Sequence, residues 1–123
     1  MTVIPLASSS KGNAYAVVAG GEVLLVDCGL SCKKLRERSV QCGVDLDSVT
    51  AVVITHDHSD HVGGLRVFLK RYDVPVYTNL MTAEKIARDT GLDESAFVCF
   101  ENGQSFEVGR MRITPFSTPH DAV

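Results

Sequence analysis

The residues best suited to chemistry stand together in Thr55-His56-Asp57-His58-Ser59-Asp60-His61, with three imidazoles and two carboxylates in one short stretch. His56 and His58, two apart where a strand would end, can point to the same side and offer two nitrogens to one metal ion. Asp60 and His61 lie a step further on, point elsewhere and suit a second ion. One tetrahedral ion cannot take all these groups from one short loop, so a dinuclear site is the natural arrangement. A hydroxide held between two ions would have its pKa lowered enough to act as nucleophile near neutral pH. A single loop histidine is ordinarily solvated surface, but the pattern H-x-H-x-D-H matches coordination chemistry. Asp57 and Ser59 face away from the two histidines in an extended segment and read as loop stabilisers.

His56 and His58 need a third ligand from elsewhere, and His120 is the only histidine left. It too follows an expected strand, so all four histidines can serve one site. Asp27, at the end of an apolar run, could orient a ligand histidine or steady the loop. Ser9, Ser10 and Asn13, in the stretch Ser8 to Asn13, could hydrogen-bond a phosphate or support the site. By itself that stretch is a weak signal, because Ser/Gly/Asn clusters are mostly ordinary turns.

The surrounding sequence predicts elements that place these groups. Val3 to Ala7 is a short apolar run ending in the polar stretch. Ala14 to Ala19 and Val23 to Asp27 flank Gly20-Gly21, a hairpin signal. The second of these runs is apolar without alternation, the mark of a strand buried on both faces, so the Asp27 carboxylate at its end needs a reason. Ser31 caps a helix through Cys42, and Gly43 stops it. Ala51 to Thr55 is a β-branched strand that delivers the histidine stretch at its end, the usual placement for a site. A helix follows from Asp60 to Arg71, and its Gly63-Gly64 pair suits close approach to another backbone or a ligand. Val74 to Thr78 reads as an edge strand or a strand start, and Asn79 or Thr82 caps a helix running to Thr90. Phe97 to Phe100, Gln104 to Val108 and Met111 to Phe116 read as short strands, the last two joined at Gly109-Arg110. The order predicts an α/β fold, a mixed sheet with helices on one face.

At 123 residues the chain is the size of one domain, expected to span 1–123. Its net charge of −3 gives no overall basic footprint, which weakens a nucleic-acid substrate without excluding one held by a metal site and a local patch. No signal-peptide pattern or membrane-spanning run is present, so no membrane partner and a cytoplasmic location are the expectation. The four cysteines form no C-x-x-C pair and are expected to be reduced core or half-buried thiols, with a disulfide or a second metal site as the alternative.

Taken together, these residues resemble the N-terminal half of the metallo-β-lactamase superfamily. The resemblance rests on Leu24-Leu25-Val26-Asp27-Cys28-Gly29, on His56-Asp57-His58-Ser59-Asp60-His61 followed by Gly63-Gly64, and on Pro119-His120-Asp121-Ala122. The stretches Ala7 to Asn13 and Ser117 to Ala122 look most like the WalJ/YycJ-type group of bacterial metal-dependent exonucleases. The resemblance implies an αββα sandwich and a dinuclear hydrolase, with His56, His58 and His120 on the first metal. Asp60, which also carries the catalytic expectation, and His61 would help hold the second, while Asp27 matches a mainly structural aspartate. Two divalent ions are implied, Zn²⁺ by the histidine-rich ligation, with Mn²⁺ or Fe²⁺ also compatible with the carboxylates.

The expected activity is that of a phosphodiesterase or nuclease acting on nucleic acid. Two alternatives remain open: hydrolysis of a thioester, lactone or β-lactam on the same scaffold, and a catalytically inert interaction module with a partial metal site. Superfamily members are about twice as long, and their second half supplies a bridging aspartate, a last histidine and the second sheet. The chain is therefore expected to stop short after the third ligand motif, with the missing half or an oligomer partner covering the sheet.

Overall fold

The computed structural model describes residues 1–9, 12–55, 62–101 and 103–115. The chain opens with β1 (Thr2–Ser9), β2 (Gly12–Ala19) and β3 (Glu22–Cys28). Gly20 and Gly21 between the last two have φ of +56° and +81°, the positive values a tight hairpin turn requires. Helix α1 (Cys32–Gln41) starts where the Ser31 side chain accepts a hydrogen bond from the Lys34 amide at 3.2 Å. A short 3-10 turn at Leu46–Ser48 leads into β4 (Val49–Val53). Then come α2 (Val62–Arg71), β5 (Val76–Thr78) and α3 (Leu80–Thr90), the last capped by Asn79, whose side chain accepts from the Thr82 amide at 2.8 Å. After β6 (Phe97–Cys99), a hairpin of β7 (Phe106–Val108) and β8 (Met111–Ile113) completes the described elements.

The first six strands form one sheet in the order β1-β2-β3-β4-β5-β6, antiparallel from β1 to β3 and parallel from β3 to β6. Strand-helix-strand connections produce the parallel half, so one face of the sheet carries the helices. On that face Leu6, Leu25, Val52 and Val76 pack against Leu35 of α1, Leu65 and Phe68 of α2 and Ile86 of α3, all fully buried. Each of these large side chains contributes about 1.5–3 kcal/mol by leaving water. The residues between them point the other way: Leu24, Ala51 and Val53 form a second cluster with Val108 and Met111 of the β7–β8 hairpin. Tyr77 and Phe100 both stack on Phe106, at 4.9 and 5.1 Å between ring centroids. The unbroken apolar run of β3 thus has the physical cause expected for it, burial on both faces.

Several strand boundaries differ from the sequence reading, β5, β6, β7 and β8 being shorter than expected, and two of the differences bear on the site. The stretch Ser8 to Asn13 is not simply a loop: β1 and β2 keep pairing through Ser8↔Asn13 and Ser9↔Gly12, so Ser8, Ser9, Gly12 and Asn13 lie in strands. Backbone pairing between adjacent antiparallel strands overrides the turn preference of these residue types. β4 starts two residues before the expected Ala51 and ends at Val53, although the Ile54 amide still donates to the Tyr77 carbonyl at 2.9 Å.

β2 is flanked by two bulges at the same level. The β1 register skips Leu6 between Pro5↔Tyr15 and Ala7↔Ala14, and the β3 register skips Asp27 between Val26↔Tyr15 and Cys28↔Ala14. A bulge bends its strand and increases the local twist. Two bulges around one step of β2 therefore redirect the ends of β1 and β3 together. The Leu6 carbonyl, released from the ladder, accepts from Arg38 Nε at 3.0 Å, which ties α1 to the bent edge.

Candidate metal centre

β1, β3, β4, β5 and β6 all run in the same direction, so their C-terminal ends share one edge of the sheet. The tip of the β1–β2 hairpin, Asp27 and Thr55 all belong to that edge. In open α/β sheets this is where ligands bind. The β7–β8 turn lies at the opposite edge, where the Arg110 amide donates to Glu22 Oε2 at 3.2 Å beside the β2–β3 turn. From that turn β8 (Met111–Ile113) runs back toward the edge where β3, β4 and β5 end.

Asp27 is the bulged residue of β3 and the only non-glycine described with positive φ, +58°. Aspartate tolerates this left-handed conformation better than most residues, and its carboxylate is well used there. Oδ1 accepts from the Thr55 amide at 2.8 Å and Oδ2 accepts from Thr55 Oγ1 at 2.6 Å. The end of β3 is thereby bonded to the residue directly before His56. Two further bonds fix the approach to that residue. The Ile54 amide donates to Tyr77, and Thr78 Oγ1, fully buried, donates to the Ile54 carbonyl at 3.0 Å.

Thr78 is a positioning residue that the sequence reading missed. The available signal was a hydroxyl closing an otherwise apolar strand at the same edge.

On the far side of the histidine stretch, α2 is seated by Gly64. A methyl group there would collide with the Leu30 carbonyl oxygen and lie 2.9 Å from the Leu30 carbonyl carbon and 3.3 Å from Ser31 Cα. Glycine at this position therefore allows the first turn of α2 to rest on the backbone joining β3 to α1. The expected close approach to another backbone is present at Gly64.

Cys28 follows Asp27 and is buried. Burial pushes its thiol up to about 12, with the neighbouring Cys32 and the Asp27 carboxylate adding to the shift. It is a protonated thiol at neutral pH and no nucleophile. All four cysteines are free, Cys28 and Cys32 buried and Cys42 and Cys99 exposed. Exposure of the last two differs from the core or half-buried placement expected of them: Cys42 caps α1 and Cys99 lies on the edge strand β6, where no layer covers them.

His56, His58, Asp60, His61 and His120, with Ser10, lie outside the described residues. Ser9 ends β1 and Asn13 stands near the start of β2, both at the edge shared with Asp27. Among the described residues no group of three His, Cys, Asp or Glu is placed to hold a metal ion. Among the same residues no helix is long and apolar enough to cross a membrane.

Comparison with known proteins agrees with the architecture. Residues 10–121 match the family model of the metallo-beta-lactamase superfamily. The chain is 35% identical over 121 residues to exodeoxyribonuclease WalJ of Streptococcus pneumoniae serotype 2, covering 96% of this chain and 45% of that protein. It is equally 35% identical to exodeoxyribonuclease YycJ of Bacillus anthracis over 118 residues, 95% of this chain and 45% of that one. The chain thus spans about half the length of these curated relatives. Among solved structures, Rm3 metallo-beta-lactamase superposes with a TM-score of 0.74 at 22% identity, covering 97% of this chain and 52% of that chain, which speaks to the fold alone. The sheet with helices on one face and a β-hairpin on the other corresponds to about half of that enzyme's fold. By its family match, its relatives and its architecture, this chain belongs to the metallo-beta-lactamase superfamily.

Proposed function

We propose that this chain forms the N-terminal half of a dinuclear metal-dependent hydrolase that cleaves phosphodiester bonds in nucleic acid, as a DNA exonuclease working in the cytoplasm. The observation that carries the reading is the paired hydrogen bonding of Asp27 to Thr55, which anchors the entry to His56-x-His58-x-Asp60-His61 at the ligand-binding edge of the sheet. Support for the substrate comes from the names of the relatives, two of them exodeoxyribonucleases.

The donor set fits the metal ions the family implies. Imidazoles with a carboxylate suit Zn²⁺ and also Mn²⁺ or Fe²⁺. Such ligands depend on a supporting shell that orients them, and the bonds of Asp27 and Thr78 form one around the approach to the loop. In this reading His56, His58 and His120 hold one ion, and Asp60 and His61 hold part of the other. When bound, the pair supplies Lewis-acid activation of the phosphate and a nucleophile at neutral pH. Ser9 and Asn13, in the paired strands near that edge, and Ser10 between them in sequence serve to position a phosphate. The remaining ligands belong to a second half of the fold, which also covers the sheet face beyond the β7–β8 hairpin.

Hydrolysis of a thioester, lactone or β-lactam is the competing reading, because the solved structures with this fold include β-lactamases. The two separate on substrate. The metal-loaded protein in its full length is expected to hydrolyse bis-p-nitrophenyl phosphate and to shorten end-labelled DNA, with ester and β-lactam turnover at least about tenfold slower in kcat/KM. Robust ester hydrolysis without phosphodiester cleavage would overturn the proposal.

A further inference from the structure

The formal charge of the chain is −3, yet its positive charges are not spread evenly. On α1 and α2, Lys33, Lys34, Arg36, Arg66, Lys70 and Arg71 are all exposed. Glu37 is the one acidic residue within these two helices. Among the described residues none of the six basic side chains is engaged in an ion pair, whereas Arg38, the remaining cation of α1, is occupied by the Leu6 carbonyl and Gln41.

The helices bury Cys32, Leu35 and Ser39 on one and Leu65 and Phe68 on the other, which turns these cations outward. They also lie side by side. Gly64 of α2 rests against Leu30 and Ser31 at the start of α1, and a cavity of about 160 Å³ lined by Arg36, Ser39 and Tyr72, and also by Asp45 and Asp47, marks where their C-terminal ends face each other. Both helices begin near the edge where β3 and β4 end and run about 15 Å away from it.

We infer that this outer face of α1 and α2 is a binding surface for the phosphate backbone of nucleic acid, and that it guides the strand to or from the catalytic edge. The inference rests on the nuclease reading above and adds to it the path of the polymer. Charge complementarity selects the occupant. Exposed Lys and Arg clustered on a short face match a polyanion with regularly spaced phosphates, and such contacts need no base recognition. An anionic membrane is the weaker match, because the exposed apolar side chains here are the isolated Val40 and Val67, with no aromatic or leucine face to insert.

The test uses fluorescence anisotropy with a labelled 20-nucleotide DNA, chelator present so that binding is read without cleavage, between 50 and 200 mM salt. The variant Lys33→Ala/Arg36→Ala/Lys70→Ala/Arg71→Ala is compared with wild type and with Arg110→Ala/Arg112→Ala on the β7–β8 hairpin. The fourfold variant is expected to bind about tenfold or more weakly, and its log Kd against log salt slope should fall by about two to three, near 0.7 per lost phosphate contact. The hairpin variant should stay within about twofold of wild type.

Thermal unfolding confirms that each variant is folded. A metal-loaded assay on bis-p-nitrophenyl phosphate, too small to reach the surface, should be unchanged in the fourfold variant. Wild-type affinity and slope in that variant would overturn the surface while leaving the nuclease reading intact. Binding to phosphatidylserine vesicles in place of DNA would overturn it too. Loss of the nuclease reading itself would look different: wild type would then fail on the small phosphodiester as well as on DNA.

Discussion

Replacing Asp27 with Ala is expected to lower stability by about 2–4 kcal/mol and to weaken metal binding about 10- to 100-fold. The carboxylate accepts both the amide and the hydroxyl of Thr55, so alanine leaves two donors without these acceptors just before His56. Hydrogen bonds to a charged group are worth about 1.5–3 kcal/mol, more than neutral ones. Alanine also inherits a φ of +58°, which costs a further 1 kcal/mol or so.

Two more substitutions separate these effects. Asp27→Gly removes the backbone strain but not the lost bonds, so it should recover part of the stability and little of the metal affinity. Asp27→Asn retains one acceptor for the Thr55 amide and offers its NH₂ to the Thr55 hydroxyl, so it should fall between wild type and alanine. Denaturant unfolding and competition with a metal-binding dye measure both quantities. Equal metal affinity across all four proteins would show that Asp27 serves folding alone.

Gly64→Ala is expected to be destabilising by about 1–3 kcal/mol, the cost of forcing atoms into a filled space. The sign is the informative part. At an ordinary exposed helix position this substitution stabilises by about 1 kcal/mol, because alanine is the better helix former. Here the new methyl meets the Leu30 carbonyl, a backbone group that cannot rotate aside. To relieve the contact, the first turn of α2 must lift from the backbone that joins β3 to α1. The turn directly follows His61, so metal affinity should fall along with the unfolding midpoint. An unchanged or raised midpoint would show that the two segments are free to move apart.

Much of this architecture was legible because local and global signals agree. Ser31, Asn79 and the Gly20-Gly21 turn have the residue types their positions require, and the helices and strands they bound lie close to where the periodicity places them. The run Val23 to Asp27 announced a strand buried on both faces, and the structure supplies a separate cluster for each. At the candidate centre, the need of Asp27 for a partner was legible from its place after an apolar run. Its partner Thr55 lies 28 positions away and depends on the parallel pairing of β3 with β4, which no local pattern encodes.

The same reason hid Thr78. Its hydroxyl matters only because β5 lies beside β4. Strand character at Ser8, Ser9 and Asn13 was hidden differently, since backbone pairing across a hairpin is indifferent to side chains that favour turns. Net charge, finally, averages over all surfaces. A value of −3 conceals two neighbouring helices that are strongly basic.

Binding of catalytic metal by the histidine stretch, held at its entry by Asp27, underlies the proposed function. Proton NMR of the Co²⁺-loaded protein tests it most directly, because exchangeable imidazole protons of ligand histidines move far outside the diamagnetic range. Such signals are expected in wild type, with one lost in each of His56→Ala, His58→Ala and His120→Ala and Co²⁺ affinity falling at least about tenfold. Unshifted imidazole signals, or a Co²⁺ affinity indifferent to all three substitutions, would contradict it.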